Sequence, residues 1–157
     1  MKFADYLAVQ NLIFRYCDHL DRGDFTAMAR LFAHADVYLG AAEQPLRSDP
    51  QAMAAMYRDF VRIHPDGTPR TRHLTTNLII EEDGPGQIRA QSYITVVQST
   101  ESMSLQPIIG GRNLDRFGLV DGRWQFVERR IENDMWGDLS AHLQKAFGPG
   151  SSGAGRG

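Results

Sequence analysis

The sequence predicts a single α+β domain in which a curved, largely antiparallel sheet wraps over three N-terminal helices. Apolar residues recur at helical spacing up to about residue 61. Four later runs are rich in β-branched and aromatic residues, and turn residues separate most of them. Helices followed by an antiparallel sheet are typical of the α+β class. We expect the concave side of the sheet and the helices to leave a pocket between them.

Composition excludes several classes of protein. The chain has 157 residues, a formal net charge of −2 and one cysteine, Cys17. This length corresponds to one domain that needs no disulfide or metal to fold. A binder of nucleic acid or of anionic membranes would show a basic excess, which is absent here. We find neither a signal-peptide core nor a run long enough to cross a bilayer, so we expect a cytoplasmic protein without membrane contact.

Three helices are expected in the first part of the chain. The first covers about residues 5–20, where one apolar stripe is present, and Gly23 is a plausible stop. Asp24 can cap a second helix that carries Phe25. Proline after Ser48-Asp49 starts a third helix. That helix presents an apolar face made of Met53, Met56, Tyr57, Phe60 and Val61.

The strands follow. A short strand is expected at 36–40, and the long runs cover 72–82, 87–100, 108–120 and 123–132. Asp121-Gly122 is a strong signal for a tight hairpin, whereas 101–107 indicates a looser connection. We expect a short helix at 140–147. The domain therefore covers 1–147, and the Gly/Ser-rich residues 148–157 are expected to be a disordered tail.

Alternation along the strands predicts which side chains share a face. In the first long strand His73, Thr75, Asn77 and Ile79 point one way, and Leu74, Leu78 and Ile80 point the other. A polar wall beside an apolar floor is typical of a ligand pocket. In the last strand Val127, Arg129 and Ile131 share a face. An arginine between apolar neighbours needs either an acidic partner or a ligand.

Four residues form the candidate catalytic set because their types suit proton transfer. His73 can take a proton near neutral pH, and Asp21 could fix its tautomer and stabilise the imidazolium. Tyr16 could donate a hydrogen bond to a carbonyl or to a leaving hydroxyl, and Arg129 could hold a developing negative charge. Sequence spacing alone does not bring Tyr16 and Asp21 together.

Each of these residues also has a structural interpretation. His73 could be an ordinary strand histidine, Asp21 a turn residue and Tyr16 a core tyrosine. Arg129 could form an ion pair, with Glu128, Asp115 or Glu132 as the available acids. We find no histidine pair at zinc-site spacing and no phosphate-binding loop, so we predict no metal and no cofactor.

Several segments resemble SnoaL-like proteins of the nuclear-transport-factor-like superfamily. Residues 16–25 with 29–32 resemble the family's opening, and Arg72-His73-Leu74-Thr75-Thr76-Asn77 resembles its histidine-bearing strand. Residues 110–117, 121–124 and 128–130 resemble its last two strands, and 137–140 extend the match. The resemblance implies a cone of three helices and a mixed curved sheet, usually as a homodimer.

Within that family the chain resembles cofactor-independent lyases. Bile acid 7α-dehydratase has tyrosine, aspartate, histidine and arginine at similar places, and scytalone dehydratase shares the dyad. In hexachlorocyclohexane dehydrochlorinase a lysine stands where this chain has Tyr16, which argues against dehydrochlorination. We add Asn77, Phe25, Tyr57 and Tyr93 as residues expected to contact the substrate.

Three functions follow from these observations. The first is a dehydratase-like lyase or isomerase that uses a His73–Asp21 dyad on a small hydrophobic cyclic molecule, such as a steroid, a polyketide or an aromatic catabolite. The second is a non-catalytic module, either a ligand-binding protein or the small subunit of a ring-hydroxylating dioxygenase with a large partner subunit. The third is a polyketide cyclase, which differs more in substrate than in architecture.

Overall fold

The computed structural model describes residues 1–40, 42, 44–47 and 49–145. Within these residues the three helices are α1 (Phe3–Asp21), α2 (Phe25–Arg30) and α3 (Pro50–Phe60). The six strands are β1 (Asp36–Leu39), β2 (Leu46–Arg47), β3 (Thr71–Glu82), β4 (Gln87–Thr100), β5 (Met103–Val120) and β6 (Arg123–Trp136).

All six strands belong to one mixed sheet with the order β2-β1-β6-β5-β4-β3. β1 runs parallel to β6, and every other neighbouring pair is antiparallel. Bulges interrupt the register in each of the three long pairs, and bulges bend and twist a strand. The predicted α+β class, with its curved and largely antiparallel sheet, is confirmed.

The ends of the helices follow from local chemistry. At the end of α1, Gly23 N–H donates to Leu20 O and Asp24 N–H donates to His19 O, which is the Schellman arrangement. Gly23 has φ 71°, and a Cβ there would lie 3.0 Å from Gly67 O, so glycine is required. This sharp stop fixes where the last residue of α1, Asp21, points its carboxylate.

The core lies between the inner face of the sheet and the three helices. Its largest buried apolar side chains come from both layers: Phe32, Phe117, Phe126, Ile13 and Met28. Phe126 stacks against Phe117 and Phe32, with ring centroids 4.6 and 4.9 Å away. This packing places the polar end of α1 against the start of β3.

The largest differences from the sequence prediction lie in the C-terminal third of the chain. β5 begins at Met103, so the predicted looser connection at 101–107 is wrong, and β6 extends to Trp136. Of the helix predicted at 140–147, residues 140–142 form a turn, Leu143 makes an isolated antiparallel bridge with Val61, and 146–147 lie outside the described residues. These last described residues pair with the end of α3 because their backbone donors and acceptors meet those of that segment.

The predicted tail at 148–157 lies outside the described residues. Among the described helices, none combines the length and the hydrophobicity needed to cross a bilayer. The cytoplasmic location stays a prediction from the sequence.

Candidate functional site

The structure brings Asp21 and His73 into direct contact. His73 Nδ1 lies 2.6 Å from Asp21 Oδ1, and each side chain is 12% exposed. Asp21 comes from the last residue of α1 and His73 from the third residue of β3. A carboxylate at the negative end of a helix is unfavourable by itself, so Asp21 needs a partner. The partner is the imidazole.

Asp21 is held by donors on both of its oxygens. His73 N–H donates to Oδ2 at 2.9 Å, and Thr71 Oγ1 donates to Oδ1 at 2.8 Å. Burial raises the pKa of the Asp21 carboxyl, but the hydrogen bonds from His73 and Thr71 outweigh this effect and lower it. Asp21 is therefore ionised and fixed in position near neutral pH.

An ionised carboxylate sets the tautomer of His73. Because a carboxylate can only accept, Nδ1 carries the proton and Nε2 carries the lone pair. Within the described part of the chain, Nε2 has no hydrogen-bond partner. The dyad therefore presents a base atom that is free to take a proton from a bound molecule.

Tyr16 lies beside the dyad. Its ring centroid is 6.5 Å from that of His73, in an edge-on arrangement. Burial and the neighbouring Tyr57 raise the pKa of the Tyr16 hydroxyl well above its usual value, and burial also raises the pKa of Tyr57. Both stay protonated at physiological pH, so the pair can donate to an oxygen of a ligand.

Arg129 is placed differently from the dyad. Its side chain is fully buried and forms a two-pronged ion pair with Asp115, with distances of 2.6 and 2.8 Å. The guanidinium carbon lies 4.2 Å above the Tyr16 ring and 4.7 Å from the Phe126 ring. Of the three acids available in the sequence, the structure selects Asp115. Arg129 packs on the Tyr16 ring and does not contact the dyad.

The assignment of Asn77 to the face of His73 is wrong. β3 and β4 pair in register up to Thr76, a bulge follows, and pairing resumes at Ile79. Asn77 sits in the bulge with φ 51° and is exposed. Asparagine adopts this left-handed conformation at little cost. Beyond the bulge the alternation is reversed, so Leu78 packs on the core, on the same side of the sheet as His73.

The same kind of bulge overturns the face predicted for β6. Register shifts between Arg116 and Phe117 of β5, so Val127 of β6 is left over and points outward, where it is 36% exposed. Phe126 and Arg129 are both buried although their spacing is odd. Strict alternation therefore fails on both strands, and for one reason.

Two other predicted contact residues have separate outcomes. Tyr93 is 50% exposed on the outer face of the sheet, where Arg112 lies 5.7 Å from its ring, so it cannot line the interior. Phe25 is buried in the core, and its ring centroid lies 5.7 Å from that of Tyr57. Phe25 thus supports a tyrosine of the site without reaching the dyad.

Sequence reasoning missed several residues around the dyad. Thr71 was outside the predicted strand, and its hydroxyl is one of the groups that hold Asp21. Cys17 Sγ lies 3.5 Å from Thr75 Oγ1, next to His73 on the inner face, and burial raises the pKa of its thiol. His142 was not among the predicted site residues, and it is only 8% exposed. A threonine two residues before His73 was the one available signal, since alternation puts it on the same face.

Two grooves of about 510 and 530 Å³ are present on the surface, and the dyad lies in neither. The first lies on the outer face of the sheet, between Glu81 and Arg130, and the second lies between α2 and α3, beside Arg58. Across the described residues, no cluster of three histidine, cysteine or acidic side chains could hold a metal ion.

Comparison with known proteins shows to which family the chain belongs. The SnoaL-like domain family matches residues 1–130. No curated protein matches the sequence. Among solved structures, Aln2 from a Streptomyces species is 22% identical over 85% of this chain and 93% of its own, with a TM-score of 0.67.

Two further structures, both from Novosphingobium aromaticivorans, show the same fold. A candidate scytalone dehydratase is 20% identical over 84% of this chain and 85% of its own, with a TM-score of 0.64. A candidate aromatic ring hydroxylase is 17% identical over 90% of this chain and 98% of its own, with a TM-score of 0.68. Since the family match extends over most of the sequence, the chain belongs to the SnoaL-like domain family.

Proposed function

We propose that the protein is a cofactor-independent, dehydratase-like lyase or isomerase that abstracts a proton with His73. The observation that carries this proposal is the 2.6 Å contact between His73 Nδ1 and a fixed Asp21. The contact leaves Nε2 with a free lone pair, and Asp21 can stabilise the imidazolium that forms when Nε2 takes a proton. Family membership and a similar structure described as a scytalone dehydratase support a ligand-binding or isomerase-type domain.

The proposed reaction starts at a carbon next to a carbonyl in a small hydrophobic cyclic molecule. Nε2 takes the proton, the C–H electron pair becomes the C=C bond of an enolate, and the carbonyl oxygen gains the negative charge. One hydroxyl of the Tyr16–Tyr57 pair donates to that oxygen. In a dehydration the C–O bond at the next carbon then breaks, and the leaving hydroxyl departs as water with the proton from His73.

An isomerisation uses the same first half. In a substrate with a β,γ double bond the enolate is extended over that bond, and the imidazolium returns its proton to the γ-carbon, so the double bond moves and no group leaves. Arg129 has a positioning role in both cases, because its guanidinium packs on the Tyr16 ring and is itself neutralised by Asp115. A polyketide cyclase would need the same enolate, and it differs in what the enolate attacks.

Hydrogen–deuterium exchange tests the first step without the natural substrate. We would incubate cyclic ketones, beginning with 2-tetralone, with the protein in D₂O and follow loss of the α-proton signals by NMR. We expect exchange faster than in buffer, and a loss of about 10²–10⁴-fold in His73→Ala. His34→Ala, which changes an exposed histidine, is the matched control. Unchanged exchange in a folded His73→Ala protein would overturn the proposal.

The second candidate is a non-catalytic module, favoured by the likeness to a candidate aromatic ring hydroxylase. We also propose that the outer face of the sheet pairs with a second copy of the chain, since Leu74, Tyr93 and Met135 are exposed there at 47, 50 and 68%. The native mass in solution separates these proposals. A homodimer mass with ketone exchange supports the enzyme, whereas a mixed complex with a large subunit and no exchange supports the module.

A further inference from the structure

We propose that His142 is a second imidazole of the site, which donates a hydrogen bond from Nδ1 to an oxygen of the bound molecule. This inference rests on the proposed function, and it assigns a role to a residue that the mechanism above does not use. It also names a class of ligand: cyclic molecules with a carbonyl or phenolate oxygen. The two histidines would then have different tasks, His73 as the base and His142 as a neutral donor.

The first argument is burial without a partner. His142 is 8% exposed, and within the described part of the chain its Nδ1 has no hydrogen-bond partner. A buried ring nitrogen without a partner is costly, and such groups in native proteins call for an explanation such as a water or a ligand. An oxygen atom of a ligand would satisfy it.

The second argument is position. Ala141 O, next to His142, accepts from Gln98 Nε2 at 3.3 Å. Gln98 lies opposite Thr71 in the β3–β4 pair, and Thr71 Oγ1 donates to Asp21. The segment with His142 therefore packs on the same corner of the sheet as the dyad.

The third argument is that the backbone around His142 is held firmly. His142 O accepts from Arg62 N–H at 2.8 Å, and its own N–H donates to Leu139 O at 3.0 Å. His64 Nε2 lies 3.0 Å from Ala141 O, so it donates there. A ring on such a fixed segment can present Nδ1 in one direction with little loss of entropy.

The fourth argument is charge. Burial, followed by the neighbouring His73 and His64, lowers the pKa of His142 to about 4, so the ring is neutral near pH 7. A neutral imidazole can donate to a developing enolate oxygen, and it leaves His73 free to take up the positive charge. A cation at this place would instead make protonation of His73 more difficult.

Binding of 4-nitrophenol tests the donor separately from proton abstraction. The probe is neutral in acid and a coloured phenolate in base, and neither form has a carbon-bound proton next to a carbonyl. We would titrate it by absorbance on both sides of its ionisation, into the full chain and its variants. The phenolate oxygen can only accept a hydrogen bond, so we expect its binding to require the His142 Nδ1 donor.

We expect His142→Leu to weaken phenolate binding about tenfold or more, with a much smaller effect on the neutral phenol. His142→Asn should retain most of the affinity, because its amide N–H stands near the place of Nδ1. His34→Leu is the matched surface control.

The proposal is overturned if His142→Leu binds the phenolate like the unmodified protein, if both forms of the probe weaken equally, or if the unmodified protein binds no phenolate. Should His142→Leu fail to fold, the ring ¹⁵N–¹H signals of the unmodified protein decide. A His142 signal that does not shift on addition of phenolate contradicts the proposal. If neither the unmodified protein nor any variant exchanges the ketone, while phenolate binding is intact, only the proposed function is rejected.

Discussion

Two carboxylate pairs lie on the inner side of the same sheet, and they differ in what surrounds them. Asp21 and His73 are each 12% exposed, whereas Asp115 and Arg129 are 1% and 0% exposed. Asp115 uses both oxygens on a permanent cation that is packed between aromatic rings. Asp21 holds a ring that can gain and lose a proton, and this ring keeps one nitrogen free.

The difference shows how a sheet of this kind can hold both a permanent ion pair and the acid–base dyad that we propose for proton transfer. A guanidinium stays charged in proteins, so its bidentate pair with a carboxylate is fixed. An imidazole changes charge near neutral pH, so its pair with a carboxylate can switch. Residual exposure and a titratable partner distinguish the dyad from the ion pair, and the following variants test that distinction.

The largest effect on stability is expected at the buried ion pair. Asp115→Ala leaves the Arg129 charge unpaired in the core, and we expect a loss of about 3–5 kcal/mol in the free energy of unfolding. Urea denaturation followed by circular dichroism measures it. The double variant Asp115→Leu/Arg129→Met should recover most of this loss. A loss below about 1 kcal/mol in the single variant would show that water reaches the pair.

The next effect is a pH dependence due to His142. Its pKa is lowered from 6.5 to about 4, so over this range the unfolded chain binds a proton that the folded protein does not. Stability therefore falls as pH decreases from about 6.5 to about 4, by as much as about 3 kcal/mol from this residue. His142→Leu should remove this slope and His34→Leu should keep it, as measured by urea unfolding at several pH values. An unchanged slope in His142→Leu contradicts the burial of the ring.

A smaller loss of stability is expected for Asp21→Asn. The carboxamide cannot accept all three hydrogen bonds that Asp21 accepts, so we expect a loss of about 1–3 kcal/mol together with slower ketone exchange. Because the pKa of Asp21 is lowered, this stabilisation is present above the ordinary carboxyl range and is lost as pH falls through the lowered value. Thr71→Val, which removes one donor only, is the control. Full exchange activity in Asp21→Asn would show that His73 abstracts the proton without help from the Asp21 carboxylate.

The smallest effect is expected at Asn77, which the bulge turns away from the dyad. Asn77→Gly suits φ 51° and should change stability by less than about 0.5 kcal/mol, with ketone exchange unaffected. Asn77→Val should cost about 1–2 kcal/mol, since a branched side chain is disfavoured at positive φ. Thermal unfolding and the exchange assay measure both variants. A loss of ketone exchange in Asn77→Gly would show that Asn77 contributes to the site.

Local chemistry made much of the fold predictable. Gly23 and the caps at Asp24 and Asp49 were visible as stop and start signals, and the caps accept from Ala27 N–H and Ala52 N–H as expected. The four long runs became the four long strands, with ends that differ by up to five residues. The faces of β3 and β6 were not predictable beyond their bulges, because a bulge depends on the partner strand.

The sequence by itself determined the fold class, the helix ends and the residue types available for proton transfer, since these depend on periodicity and on local hydrogen bonding. Only the tertiary structure decided which of these residues meet. It joined Asp21 to His73 across 52 residues, paired Arg129 with Asp115, and buried His142. Such contacts depend on strand register and on how α1 packs against the sheet, and neither is encoded in the spacing of residues along the chain.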